Sequence, residues 1–192
     1  MKPKKEKKRW GLILFIILIM VGTSFSFIFY GFSPVAERVS YKGFSFSKQK
    51  DIWIAKVNDN YAAFSFLPSE VENILVLNDS IKKLQGKLEI DATSNLNDTY
   101  KQSIALAEHQ MGLTLAAYNV FARKGFTENN TFELPIINCN DSSLNVPVIY
   151  FKYSNATSIH SEDNCIIAEA STNADVIRIK DRLLYGILGV IK

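Results

Sequence analysis

The residues best equipped for chemistry lie together in Ser158-Ile-His160-Ser-Glu162-Asp163-Asn-Cys165. An imidazole, two carboxylates and a thiol within so short a stretch suggest two chemistries. The first is metal binding. Zinc sites, however, bring paired ligands at tight spacing, such as C-x-x-C with a second pair. The other cysteine, Cys139, stands alone, so no metal is assigned. The second is thiol chemistry, with His160 lowering the pKa of Cys165. His160 and Cys165 are therefore the candidate catalytic pair.

A structural role competes with that pair. There are two cysteines and no C-x-x-C, and an even count in an oxidising compartment predicts a Cys139–Cys165 disulfide. Closing a loop of that length stabilises a fold by roughly 3–4 kcal/mol in the chain-entropy account. The second histidine, His109, falls beside Glu108 within a helical pattern and reads as a surface position. The chain has no G-x-S-x-G, P-loop, G-x-G-x-x-G or H-E-x-x-H. A serine-hydrolase elbow, a nucleotide cradle and a zincin site lack their signatures, and no cofactor is implied.

The compartment follows from another part of the chain. From Trp10 to Ala36 there is no Asp, Glu, Lys or Arg. About 20 apolar residues in a helix cross a hydrocarbon core of about 30 Å, so 10–32 is predicted to span a membrane. Lys2, Lys4, Lys5, Lys7, Lys8 and Arg9 precede it against Glu6 alone. This basic end, 1–9, is expected to stay cytoplasmic. The apolar run exceeds a secretory h-region of about 7–15 residues, and Pro34 spoils the cleavage site that would follow it. A retained signal-anchor is expected, with the linker 33–38 holding an extracytoplasmic domain, 39–192, close to the lipid.

Charge supports that division. The whole chain carries +3, but residues 10–192 hold 16 basic and 18 acidic side chains, a net of −2. A nucleic-acid partner would require a basic domain and is not expected. The basic tail suits anionic headgroups instead. Five N-x-Ser/Thr triplets, at Asn78, Asn97, Asn129, Asn140 and Asn155, are candidate glycosylation acceptors in an outer domain.

The elements that would position these residues read as α+β. Alternation bounded by turn residues predicts strands over 41–47, 52–57 and 61–67, forming an antiparallel meander with an aromatic face. Ser69 and Glu72 predict a capping box at a short helix start. A further helical piece is expected over 81–85 and a fourth strand over 87–93. Ile104, Ala107, Met111, Leu115, Tyr118 and Ala122 recur at helical spacing, so a long central helix is predicted over 99–124, capped by Thr99 and closed by Gly125. Strands are expected at 132–137, 146–151 and 164–170, the last two forming a hairpin across a polar loop. Thr172 or Asn173 begins a C-terminal helix with a stripe of Val176, Ile179, Leu183, Ile187 and Val190. Its Asp181-Arg182 step reads as a solvated face in preference to a buried ion pair, and its uncharged end as core in preference to a face lying against the membrane. The expected fold is one mixed or antiparallel sheet covered by the central and C-terminal helices.

From the sequence, the expected role is non-catalytic binding or assembly at the outer membrane face. The partners would be the lipid bilayer and other membrane or envelope proteins. Two alternatives are an envelope enzyme or thiol-redox protein using His160 and Cys165, and an accessory subunit of a membrane complex.

Overall fold

The computed structural model describes Ile19 and residues 37–191. The chain divides into two compact units, Met1–Glu37 and Arg38–Lys192. In the first unit, Ile19 is helical, and the rest of the predicted span 10–32 lies outside the described residues. Among the described residues no helix is long and apolar enough to cross a membrane.

The second unit is a mixed α+β fold with two sheets, where the sequence suggested one. The first sheet is an antiparallel meander of β1 (Arg38–Tyr41), β2 (Phe44–Gln49), β3 (Ile52–Val57) and β4 (Asn60–Phe64). The predicted strand 41–47 is two strands, because Lys42 and Gly43 both take positive φ (46° and 89°) and form a two-residue turn. Asn58 and Asp59 make the same kind of turn between β3 and β4 (φ 47° and 68°). Two central residues with φ > 0 match the right-handed twist of the flanking strands. Alternation puts Phe46, Trp53, Ala55, Ala62 and Phe64 on one buried face, and the other face is largely solvated.

The short helix α1 (Pro68–Val71) follows. Its start is two residues earlier than the sequence suggested, with Leu67 at the cap in place of Ser69. Glu70, not Glu72, reaches back, accepting a hydrogen bond from the Leu67 N–H at 2.6 Å. Then come β5 (Leu75–Val76), a 3-10 turn (Ser80–Leu84) and β6 (Glu89–Ser94). Helix α2 (Lys101–Ala116) crosses from β6 to β7 (Phe121–Phe126), which lies parallel beside it. After a long loop the chain adds β8 (Val148–Tyr153), β9 (Ser158–Glu162), β10 (Cys165–Ala170) and α3 (Asn173–Ile187). The second sheet runs β5-β9-β10-β8-β6-β7.

Several expectations change here. The central helix stops at Ala116 rather than running to 124, and Thr99 does not cap it. Asp98 accepts from the Tyr100 N–H instead, at 2.8 Å. At the other end Asn119 takes φ 58°, and the Val120 N–H returns to the Leu115 carbonyl. This is the left-handed helix closure that Gly or Asn provides. Gly125 therefore caps nothing; it lies inside β7. A Cβ there would meet the Pro135 carbonyl oxygen at 2.6 Å, so glycine permits the 127–147 loop to press on the strand. The stretch 132–137 forms no strand and makes only an isolated bridge, Phe126 to Ile136. Strands β8 and β10 are parallel neighbours, not a hairpin, and the expected polar loop contains β9, which pairs antiparallel with β10. Their apolar runs suit strands buried on both faces.

Helix α3 lies between the two sheets. Phe46 and Phe64 pack on Tyr185 from the meander side (centroids 6.0 and 4.1 Å), while α3 contacts β10 on the other. Each large aromatic buried this way contributes about 1.5–3 kcal/mol. The cap is the predicted Thr172, whose hydroxyl accepts from the Asp175 N–H. The uncharged end does join the core: Leu183, Leu184, Leu188, Val190 and Ile191 are all buried.

The charged stripe of α3 is the sharpest correction. Lys180, Asp181 and Arg182 are buried (1%, 0% and 6% exposed), because a helix flanked by two sheets has little solvent face. Asp181 accepts from the Ser65 and Phe66 N–H groups, both at 2.9 Å, and Lys180 Nζ lies 2.5 Å from its Oδ1. It thereby ties the end of the meander to the helix.

Candidate functional site

The sequence candidates do not assemble into one site. Cys139 and Cys165 form a disulfide with Cα atoms 5.1 Å apart, so no free thiol remains. The bridge ties a 3-10 turn (Cys139–Asp141) to the start of β10. Cys165 is fully buried with Ile137, Val148 and Ile167, on the sheet face away from the helices. This second small core lies under the 127–147 loop.

His160 sits on β9 opposite Ile167. Its Nδ1 lies 3.8 Å from Glu169 Oε2. The same carboxylate accepts from Ser158 Oγ at 3.0 Å and pairs with Lys152 Nζ at 3.1 Å. Burial pushes the Glu169 carboxyl up, but Lys152, Ser158 and His160 outweigh it and hold it below the usual range. Ser158 donates to this carboxylate, not to the imidazole, so His160 does not act on that hydroxyl. A carboxylate held below its usual range is also a poor proton acceptor. Among the described residues no three His, Cys, Asp or Glu side chains converge as metal ligands. His109 is exposed on α2, and all five sequon asparagines are exposed.

Two hollows remain to be compared. The larger, about 620 Å³, lies beside the disulfide and is lined by Lys83, Asn140, Glu162 and Asp163 among others. Its lysine is already engaged. Lys83 Nζ donates to Ser161 Oγ at 2.9 Å and to the Asp163 carbonyl at 2.5 Å.

The second hollow, about 450 Å³, lies beneath the C-terminal end of α3. Three local features build it. Gly186 has no Cβ to run into the Ile81 side chain, so the 3-10 turn packs directly on the helix. Gln85 Nε2 donates to the Gly186 carbonyl at 2.7 Å and fixes that approach. Gly189, at φ 79°, turns the chain out of the helix, and the Val190 N–H bonds back to the Tyr185 carbonyl at 2.8 Å. That Schellman closure carries Ile191 under the helix end, where it lines the cavity with Val76 and Ile81.

Arg182 lines the same cavity. Its Nε and Nη1 are buried and have no hydrogen-bond partner. Burial pushes the guanidinium pKa down, while Tyr41 and Glu72 act at longer range in the opposite sense. Glu72 itself is taken by the Tyr41 hydroxyl. Arginine stays charged under such conditions, so a cation with no partner among the described residues stands in the cavity wall. At the rim, Lys82 and Asp79 pair with each other at 3.0 Å and are largely exposed.

Sequence reasoning missed Arg182 by placing it on a solvated face. The available signal was weak: three consecutive charges between Ile179 and Leu183 in a helix whose apolar residues already occupy most of its circumference. Comparison with protein families, with curated proteins and with solved structures finds no match to this chain.

Proposed function

We propose that this chain is a membrane-anchored binding domain on the outer face of a membrane and is not an enzyme. Residues 1–9 lie in the cytoplasm, 10–32 span the bilayer, and 39–192 form the extracytoplasmic domain. One observation carries the binding reading: the cavity under α3, with an unpartnered buried guanidinium in its wall. Pockets of about 300–1,000 Å³ with apolar walls and a few convergent polar groups are the usual form of a small-ligand site. Its carboxylate and its amine, Asp79 and Lys82, are spent on each other at the rim, which favours holding a molecule over transforming it. Partners are the lipid bilayer and membrane or envelope proteins near it.

The compartment assignment rests on the uncharged segment with its basic flank and on the disulfide, a bond that persists in oxidising surroundings. Alkylation of the protein in intact cells, with and without prior reduction by an impermeant phosphine, tests it. Both cysteines should label only after reduction, from outside. Labelling of unreduced thiols, or labelling only after lysis, overturns the placement. For the binding role, His160→Ala should leave ligand and partner capture unchanged. Loss of function with stability intact would instead favour chemistry at His160.

A further inference from the structure

We infer that the cavity beneath α3 takes an amphiphilic anion: a single carboxylate or phosphate monoester on an apolar body, with the anionic head on Arg182. This deepens the binding reading above and rests on it. The Arg182 guanidinium has five N–H donors in a fixed fork. Nε and Nη1 are buried without an acceptor, and a buried donor without a partner is destabilising. Those two nitrogens are closed off from the cavity, so an anion there compensates the charge through the part of the Arg182 side chain that lines it, where a charge-assisted contact is stronger than a neutral one.

The surroundings select the charge and the body of the ligand. Among the described residues no carboxylate is in ion-pair contact with Arg182. Glu72 is held by Tyr41, and Asp79 is held at the rim by Lys82. The cavity therefore offers one uncompensated positive charge. Beyond the guanidinium, Val76, Ile81 and Ile191 give the cavity an apolar wall, and the polar side chains that complete the lining, Asp79, Lys82 and Gln85, are engaged with the chain itself. A bare anion would leave that wall unused, and a neutral apolar molecule would leave the guanidinium unpaired. An anion with an attached alkyl segment satisfies both. The hollow by the disulfide makes the contrast. Its lysine already has two acceptors, so it needs none from a ligand.

The head and tail could come from a membrane lipid or from a free small acid, and the test separates these sources. The full chain in neutral maltoside micelles is titrated with hexanoate, acetate, hexanol and dihexanoyl phosphatidic acid. The Arg182 side-chain N–H resonance and the thermal midpoint are followed. Hexanoate or the phosphatidic acid should shift the Arg182 signal and bind about tenfold or more tightly than acetate or hexanol. Arg182→Met should remove that advantage. Binding of the phosphatidic acid alone identifies a lipid headgroup, and binding of hexanoate alone a free carboxylate. Lys82→Glu alters an exposed rim position and keeps the test alive if Arg182→Met does not fold. It should weaken anion binding several-fold and leave hexanol unaffected. If hexanol binds as well as hexanoate and neither substitution matters, the anionic class is overturned while the cavity remains a binding site. If no probe binds the folded chain, both this inference and the binding reading fall.

Discussion

Asp181 and Arg182 are consecutive residues of one helix, both withdrawn from solvent, and they have opposite fates. Asp181 accepts two backbone N–H groups and lies against Lys180. Arg182 has two guanidinium nitrogens with nothing to bond. The first is an internal brace, fastening the meander to α3 at the point where β4 ends. The second does nothing for the fold that an apolar side chain would not do better. Burial alone therefore does not mark a charge as structural. Whether its partners come from the chain itself decides the matter.

Substitution separates the two kinds of buried charge. Asp181→Ala leaves Lys180 buried without its counter-charge and two N–H groups without an acceptor. Removing one partner of a buried pair costs about 3–5 kcal/mol, and urea unfolding should show a loss of that size. Glu108 supplies an intermediate case. It is buried on α2 with Oε1 unbonded, and burial pushes its pKa from 4.5 up to about 7, against the pull of Lys124 and Ser94. Between those values the folded chain holds a proton that the unfolded chain has lost. Its contribution is thus most favourable below the unfolded pKa and declines as pH rises through the window. The decline approaches about 3 kcal/mol by linkage. Glu108→Gln should remove it, seen as a flatter stability-versus-pH curve with the gain at pH 8 and little change at pH 4.

Arg182→Met should move stability the other way. Replacing an unsatisfied buried cation by an apolar chain of similar length should stabilise by about 1–2 kcal/mol. A loss comparable to that of Asp181→Ala would mean the guanidinium is a brace after all, and the case for a ligand would weaken accordingly. His160→Ala, at a partly exposed position with one long contact to Glu169, should stay within about 0.5 kcal/mol of the parent. Thermal unfolding in parallel with the other variants checks both.

These differences also explain what was legible beforehand. Strands β3 and β4 could be read because one face is dry and the other wet, and that asymmetry is written as period-two alternation. The Thr172 cap and the Cys139–Cys165 pair were legible because each depends on side-chain chemistry more than on distant packing. Strand β7 was not, since Arg123, Lys124 and Gly125 look like a helix end until Asn119 is seen to turn the chain first. Strand β9 was hidden because Ser158, His160 and Ser161 read as loop, and its neighbour β10 supplies the apolar partner. The cavity was least legible of all. Arg182 owes its burial to the meander on one side and the six-stranded sheet on the other. No local pattern encodes that there will be two sheets.

The order of strands in the second sheet carries a consequence for how the protein is made. The elements that come latest in this unit hold it together: β10 sits between β8 and β9, and α3 between the two sheets. Until they emerge, the aromatic face of the meander has nothing to cover it and β8 and β9 have no common neighbour. Folding of this unit must therefore wait until its own last helix has been delivered. A growing polypeptide would stay pliable and unfinished through most of the unit, and the finished shape would arise in one late step.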